Sequence, residues 1–307
     1  TITVEEDRNL NIATSDADNT ICSSDAITFT GQNFQPGDTF RWLLNSLPIG
    51  GATNSVYNAP AGSIPNGAEV VFEATTPGGS CVYTASVTIN VASDPIASIG
   101  TNAPGDTICS GDAIAITASP AGLANYEFQI NGVTRQNGAG RVFNTTLITG
   151  TSTITIIATN ASGCSGTATR TVFVPELVSS GDITTPADTT ICPLGDQPAI
   201  NSNALATASG AATVTYQWQY RTIGGAWQDI VGATTSSLAT ATVNITETSQ
   251  FQRLAFAIQN GVPCDVTAST KDGGAAGSIT ITVDNRVDPT ITTLSLINIS
   301  EPTRRRG

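Results

Sequence analysis

The chain has no histidine and no methionine, and Lys271 is its only lysine among 307 residues. Without an imidazole, a serine hydrolase, a thiolate paired with its usual base, and a His-ligated metalloenzyme are all excluded in their common forms. Charged residues make up 12 % of the chain, and acids outnumber bases by 24 to 12. With no basic cluster before the last residues there is nothing to neutralise phosphate, so neither nucleic acid nor an anionic membrane is an expected partner. No apolar run approaches the roughly 20 residues that cross a bilayer, so no membrane insertion is expected. The chain opens without Met, and neither a charged n-region nor an apolar h-region marks a signal peptide. Leu, Lys and Glu are scarce, and no segment holds an apolar period near 3.6.

What is abundant is Thr, Ser, Ala and Val, with 29 Gly and 15 Pro. Branched and small residues fit pleated, half-buried surfaces, and the composition is that of an all-β protein. The stretch Thr20-Ile21-Cys22-Ser23-Ser24-Asp25 returns as Thr107-Ile108-Cys109-Ser110-Gly111-Asp112. It returns more loosely as Thr190-Ile191-Cys192-Pro193-Leu194-Gly195-Asp196. The first cysteines lie 87 and then 83 residues apart, a period that predicts tandem domains of small β-sandwich size. Repeat one is assigned to 5–94, repeat two to 95–181 and repeat three to 182–286. Residues 1–4 match the strand Thr280-Ile281-Thr282-Val283 and read as the last strand of a preceding repeat. Residues 287–293 read as the start of a fourth.

Six cysteines fall two to a repeat: Cys22 and Cys81, Cys109 and Cys164, Cys192 and Cys264. There is no C-x-x-C pair, so zinc is not expected. The plain reading is one disulfide within each repeat, Cys22–Cys81, Cys109–Cys164 and Cys192–Cys264, formed in an oxidising, extracytoplasmic setting. Each would tie the beginning of a repeat's second strand to its final hairpin, at one end of the sandwich.

Period-two alternation predicts an inward aromatic row in every repeat: Phe40, Trp42 and Leu44; Tyr126, Phe128 and Ile130; Tyr216, Trp218 and Tyr220. A second inward row follows, of Val70, Phe72 and Ala74, then Ile154, Ile156 and Ala158, then Leu254, Phe256 and Ile258. A strand from Cys81 to Val91 puts Tyr83, Ala85, Val87, Ile89 and Val91 on one face. The last strand of repeat three is interrupted by a Gly- and Ala-rich insertion at 271–278.

Repeat three carries the most specific signature: Tyr216-Gln217-Trp218-Gln219-Tyr220, Gly224-Gly225-Ala226-Trp227-Gln228-Asp229-Ile230, Gly232-Ala233-Thr234, and Thr246-Glu247-Thr248-Ser249-Gln250-Phe251-Gln252-Arg253. It resembles the PKD-like and immunoglobulin-like repeats of large secreted surface proteins of Bacteroidota, of adhesin or gliding-motility type. Repeats one and two resemble the same group through the Ile-Cys-Ser-x-Asp opening and the Gly/Ser-Cys closing hairpin. The resemblance implies tandem immunoglobulin-like β-sandwiches in an extended array, outside the cell or at its surface, without enzymatic activity. It implies no ligand. The tail, Leu294-Ser295-Leu296-Ile297-Asn298-Ile299-Ser300-Glu301-Pro302-Thr303-Arg304, resembles the translation of a transposon-based sequencing adapter. Residues 294–307 are therefore read as non-native, in a metagenomic fragment, and set aside.

The functional expectation is a structural spacer or stalk in cell-surface adhesion, whose partners are neighbouring repeats of the same chain. The alternative is a glycan-binding array attached to a secreted enzyme or adhesin, contacting extracellular glycans or proteins through exposed aromatics such as Trp227 with Tyr57 or Tyr220. No catalytic residue and no cofactor is assigned. Asp16 and Asp18, Asp94 and Asp106, and Asp182 and Asp188 cluster near domain junctions, where carboxylates serve either as calcium ligands or as caps on turns. Asn144, Asn160 and Asn244 match the N-glycosylation pattern, which carries little weight in so Asn-, Ser- and Thr-rich a chain.

Overall fold

The computed structural model describes residues 8–79, 81–192 and 196–285. Thr1 to Val4, the residues read as a fourth repeat and the tail lie outside the described residues. No α-helix occurs among the described residues. The chain divides into two compact units, one ending at Val174 and the other beginning at Pro175. Among the described residues there are three separate hydrophobic cores, two in the first unit and one in the second.

The first sandwich is built from β1 (Asn11–Thr14), β2 (Thr20–Cys22), β3 (Ile27–Gln32), β4 (Thr39–Leu44), β5 (Leu47–Pro48), β6 (Val56–Ala59), β7 (Ala68–Thr75) and β8 (Val82–Ala92). One sheet runs β1-β3-β6 and the other β2-β8-β7-β4-β5. All neighbours are antiparallel except β2, which lies parallel to the end of β8, with Cys22 opposite Ala92. Alternation on β7 buries Val70, Phe72 and Ala74 completely, and Trp42 of β4 lies directly across from Phe72. The two rings meet at 4.7 Å between centroids. Phe40 and Leu44 are half-buried against the same core. Tyr83, Ala85, Val87, Ile89 and Val91 share the inward face of β8, as alternation requires.

The second sandwich repeats the scheme with β9 (Ser98–Thr101), β10 (Ile114–Ser119), β11 (Asn125–Ile130), β12 (Val133–Gly138), β13 (Val142–Thr145), β14 (Ser152–Thr159) and β15 (Ser165–Val172). Its sheets run β9-β10-β13 and β12-β11-β14-β15. Tyr126, Phe128 and Ile130 face Ile154, Ile156 and Ala158 in one core. An isolated parallel bridge, Thr107 to Phe173, takes the place of the β2–β8 pairing.

The third sandwich comprises β16 (Leu177–Ser179), β17 (Asp182–Thr184), β18 (Thr190–Ile191), β19 (Asn201–Ala204), β20 (Thr207–Ala208), β21 (Thr213–Thr222), β22 (Gln228–Asp229), β23 (Ser249–Gln259), β24 (Val262–Ala268), β25 (Thr270–Lys271) and β26 (Ile279–Val283). The main sheet is β18-β26-β23-β21-β22, and β24 pairs with the other end of β23. The final strand is thus split in two. Between its halves the chain crosses to the opposite sheet, where β25 pairs in parallel with β17.

Here the expected inward row of Leu254, Phe256 and Ile258 is corrected. Directly opposed residues of neighbouring strands share a face, and fully buried Trp218 is opposite Arg253. The inward residues are therefore Phe251, Arg253, Ala255 and Ala257, while Leu254, Phe256 and Ile258 are half-exposed. Strand β23 is apolar on both faces beyond residue 253, so alternation alone does not choose between them. Arg253 occupies the place that Phe72 and Ile156 hold in the first two sandwiches. Its guanidinium lies over the Tyr216 ring at 4.6 Å and donates to Ser269 Oγ, Ser202 Oγ and the carbonyls of Ser236 and Ala204. Burial pulls its pKa down, opposed by Tyr216 and Asp182. The guanidinium supplies hydrogen bonds to the Ser236 carbonyl and to the Ser202 and buried Ser269 hydroxyls that an aliphatic side chain would not make, and a buried polar group left unpaired costs about 1–3 kcal/mol.

Arg253→Leu restores the apolar character found at this place in the other two sandwiches. It is nonetheless expected to lower the stability of the third sandwich by about 2–3 kcal/mol, read as a lower denaturant midpoint. An unchanged midpoint would show that the buried arginine is dispensable.

Candidate functional site

The feature of the molecule with most chemical consequence is the junction between the first two sandwiches. Each Ile-Cys-Ser-x-Asp stretch closes a turn: the Asp25 N–H donates to the Cys22 carbonyl and the Cys22 N–H to Asp25 Oδ2. Asp112 and Cys109 repeat both bonds at 3.0 and 3.3 Å. The motif holds the first cysteine of a repeat at the end of the sandwich from which the chain departs.

The second cysteine sits at the other end. In the first repeat, Cys22 is level with the last residue of β8, whereas Cys81 precedes its first residue, Val82. Eleven residues of strand rise about 35 Å. In the second repeat, Ile108 is bonded to Phe173 beyond the end of β15, and Cys164 precedes Ser165 at its start. That separation is about 30 Å at the same rise. A disulfide needs Cα atoms about 4.4–6.8 Å apart. The pairings Cys22–Cys81 and Cys109–Cys164 are therefore corrected: a fully formed final strand stands between the two sulfurs of each repeat.

The bond that forms instead joins one repeat to the next. Cys22 is bonded to Cys164 with a Cα–Cα distance of 5.4 Å and a sequence separation of 142. Cys109 and Cys264 are each in a disulfide. Cys81 and Cys192 are free, the first half-buried and the second exposed, so Cys192–Cys264 is corrected as well.

Around the bridge the linker is fixed by polar contacts. Ser23 Oγ donates to Asp94 Oδ2 at 2.6 Å and accepts the Asp94 N–H at 3.2 Å. Asn160, in the hairpin of the second sandwich, donates to the Ser93 carbonyl, and its Oδ1 accepts the Cys164 N–H. Gly166 completes the seat. A Cβ there would lie 1.8 Å from the Pro95 carbonyl oxygen, so only glycine lets the linker pass this close. In the second unit, Leu177 is seated similarly, its N–H donating to Asp265 Oδ2 beside Cys264.

The acidic pairs considered as calcium ligands are engaged elsewhere. Asp16 and Asp18 both accept the Thr20 N–H, and Asp188 accepts that of Thr190. Asp106 pairs with Arg170 and accepts from Thr101. Asp182 accepts from Asn203, Thr270 and the Gly273 N–H. Among the described residues, the one group of three side chains close enough to share a metal is Cys22, Asp94 and Cys164. Its two sulfurs are bonded to each other and offer no thiolate.

The aromatics belong largely to the cores. Trp42 and Trp218 donate their indole N–H groups to the carbonyls of Asn54 and Thr235 and are fully buried. Tyr57 stacks on Phe29 and Tyr220 on Phe251. Trp227 is half-buried, with the Arg221 guanidinium 4.4 Å above its ring.

Sheet order, alternation and junction define a tandem array of immunoglobulin-like β-sandwiches with an inter-repeat disulfide. No protein-family model and no curated protein matches the chain. Among solved structures it is similar to the three N-terminal domains of the bacteriophage RB49 Hoc protein, at 10 % identity and a TM-score of 0.42, covering 91 % of this chain and all of that one. It is also similar to the N-terminal eight Ig domains of the Down syndrome cell adhesion molecule, at 14 % identity and a TM-score of 0.40, covering 87 % of this chain and 35 % of that one. A Bacteroides ovatus protein, SGBP-B, solved with a mixed-linkage heptasaccharide, aligns over 92 % of this chain and 72 % of its own, at 14 % identity and a TM-score of 0.23. Likenesses this distant carry no argument about function.

The carboxylates near the third sandwich's crossover respond to acid. Hydrogen bonds from Asn203, Thr270 and Gly273 hold Asp182 below the ordinary carboxylate range, and those from Thr185 do the same for Asp272. A pKa lowered by folding contributes stability that is fully present above the unfolded value, near 3.9, and lost as pH falls through the folded value. The third sandwich is expected to lose stability below about pH 4, with a shallower pH dependence in Asp182→Asn. Denaturant midpoints measured at several acidic pH values check this; parallel curves for the two proteins would contradict it.

Proposed function

We propose that this chain is a mechanical spacer of an extracellular or cell-surface protein, holding other domains at a distance as part of adhesion, and that it is not an enzyme. The observation that carries the reading is the disulfide at the junction, Cys22–Cys164. A bond between successive sandwiches does little for the core of either one. It does change how the pair bears tension, because it creates a covalent path around the residues between the two sulfurs.

Load entering before Cys22 passes through the bridge to Cys164 and leaves along β15. Most of both sandwiches, including the Trp42 and Phe128 cores, lies inside the closed loop and is shielded from extension. Disulfides persist outside the reducing cytoplasm, which agrees with a secreted, surface-exposed array. The acidic balance of the chain opposes association between like arrays. PKD-like repeats of bacterial surface proteins, the resemblance carried by the motifs of repeat three, are the class into which such a spacer fits.

Force spectroscopy tests this directly. In the Cys109→Ser variant, which keeps Cys22–Cys164, pulling on the chain ends should release about 50 nm less contour length before reduction than after it, since 142 residues at about 3.5 Å each stay within the loop. Equal lengths in the two states would remove the mechanical role. Saturable binding of a soluble glycan, abolished in Trp227→Ala, would favour the glycan-binding alternative instead.

A further inference from the structure

We propose a rule for the joining of repeats, patterned on Cys22–Cys164: Cys81 and Cys192 are docking points for further repeats of the same kind, Cys81 bonding the first cysteine of a preceding repeat and Cys192 the second cysteine of a following one. The rule goes beyond the spacer role and does not depend on it. It begins with Cys22–Cys164, which joins the first cysteine of repeat one to the second of repeat two. Of the four remaining cysteines, Cys109 and Cys264 are each in a disulfide and Cys81 and Cys192 are not. Those two are the cysteines whose partners under the rule would belong to a repeat before the first or after the third.

Both free thiols stand where bonded ones stand. The hairpin before Cys81 is closed by the Thr76 N–H donating to the Cys81 carbonyl and the Cys81 N–H donating to Thr76 Oγ1. Asn160 closes the hairpin before Cys164 through the same two bonds, its Oδ1 replacing the hydroxyl. Cys192 follows β18, which runs parallel to the end of β26 as β2 runs parallel to the end of β8. The Thr282 N–H donates to the Thr189 carbonyl just before this pairing, as the Asn90 N–H donates to the Asn19 carbonyl at the corresponding place.

Sequence spacing agrees. From the second cysteine of one repeat to the first of the next is 28 residues in both cases, Cys81 to Cys109 and Cys164 to Cys192. Within repeats the separations are 59, 55 and 72. The invariant distance is the one that runs along a final strand, through a linker and to the departing end of the next sandwich. It places a bonding cysteine at both ends of every repeat, whatever lies between.

Forming the bond oxidises two thiols, which give up two protons and two electrons. A small disulfide such as oxidised glutathione accepts them and leaves as two thiols. A second copy of this chain serves as the neighbouring repeat in a test. The variants Cys81→Ser and Cys192→Ser, which alter no bonded cysteine, are each incubated with oxidised glutathione, alone and mixed in equal amounts. Each alone should stay monomeric, and the mixture should yield dimers in which Cys192 of one variant is bonded to Cys81 of the other. Absence of dimers in the mixture, or dimers as abundant in either variant alone, would overturn the rule. Either result leaves the single bridge Cys22–Cys164, and the spacer reading built on it, standing.

Discussion

The length of the final strand in the first two sandwiches governs how their cysteines can pair. With the first cysteine beside the strand's last residue and the second before its first, the two sulfurs of either repeat cannot meet without unfolding that strand. The nearest geometry open to a disulfide then lies across a junction, where the departing end of one sandwich faces the arriving end of the next. The Asp25 turn, the Ser23–Asp94 clamp, the Asn160 contact and the bare Cα of Gly166 all serve to bring those ends within a disulfide's reach.

A covalent junction changes what the cores must do. Each of the first two cores keeps to a simple scheme, an aromatic-centred row of one strand against the row of its neighbour, and between these two sandwiches the disulfide and the linker contacts supply the connection. The third sandwich shows how far that scheme bends. Its final strand is split by an insertion that crosses to the other sheet, and the core there holds Arg253, whose donors reach the carbonyls of Asp182 on β17 and Ala204 on β19 and that of Ser236. The fold keeps its outline while one apolar position becomes a polar brace.

Much of this was legible in the residues. Period-two alternation correctly predicted the buried rows centred on Trp42, Phe128 and Trp218, and the composition predicted an all-β chain. The disulfide pattern was not legible, because counting two cysteines per repeat says nothing about which pole each occupies. That depends on the parallel pairing of β2 with the end of β8, a contact between residues some 70 positions apart. The inward face of β23 was hidden for a different reason: beyond residue 253 both faces are apolar, and Arg253 looks like a surface residue until its position opposite Trp218 is known. Of the aspartates near the junctions, Asp16, Asp18 and Asp188 cap local turns, as their residue type allows, whereas the partner of Asp106, Arg170, is 64 positions away and could not be read from the sequence.

The most direct test of the account is the connectivity itself. Proteolysis of the oxidised chain without reduction, followed by mass spectrometry of the linked peptides, should recover the Cys22 peptide joined to that of Cys164, with Cys81 and Cys192 alkylated as thiols. Recovery of Cys22 joined to Cys81, or Cys109 joined to Cys164, would mean that the bonds lie within repeats and that no covalent path runs between them.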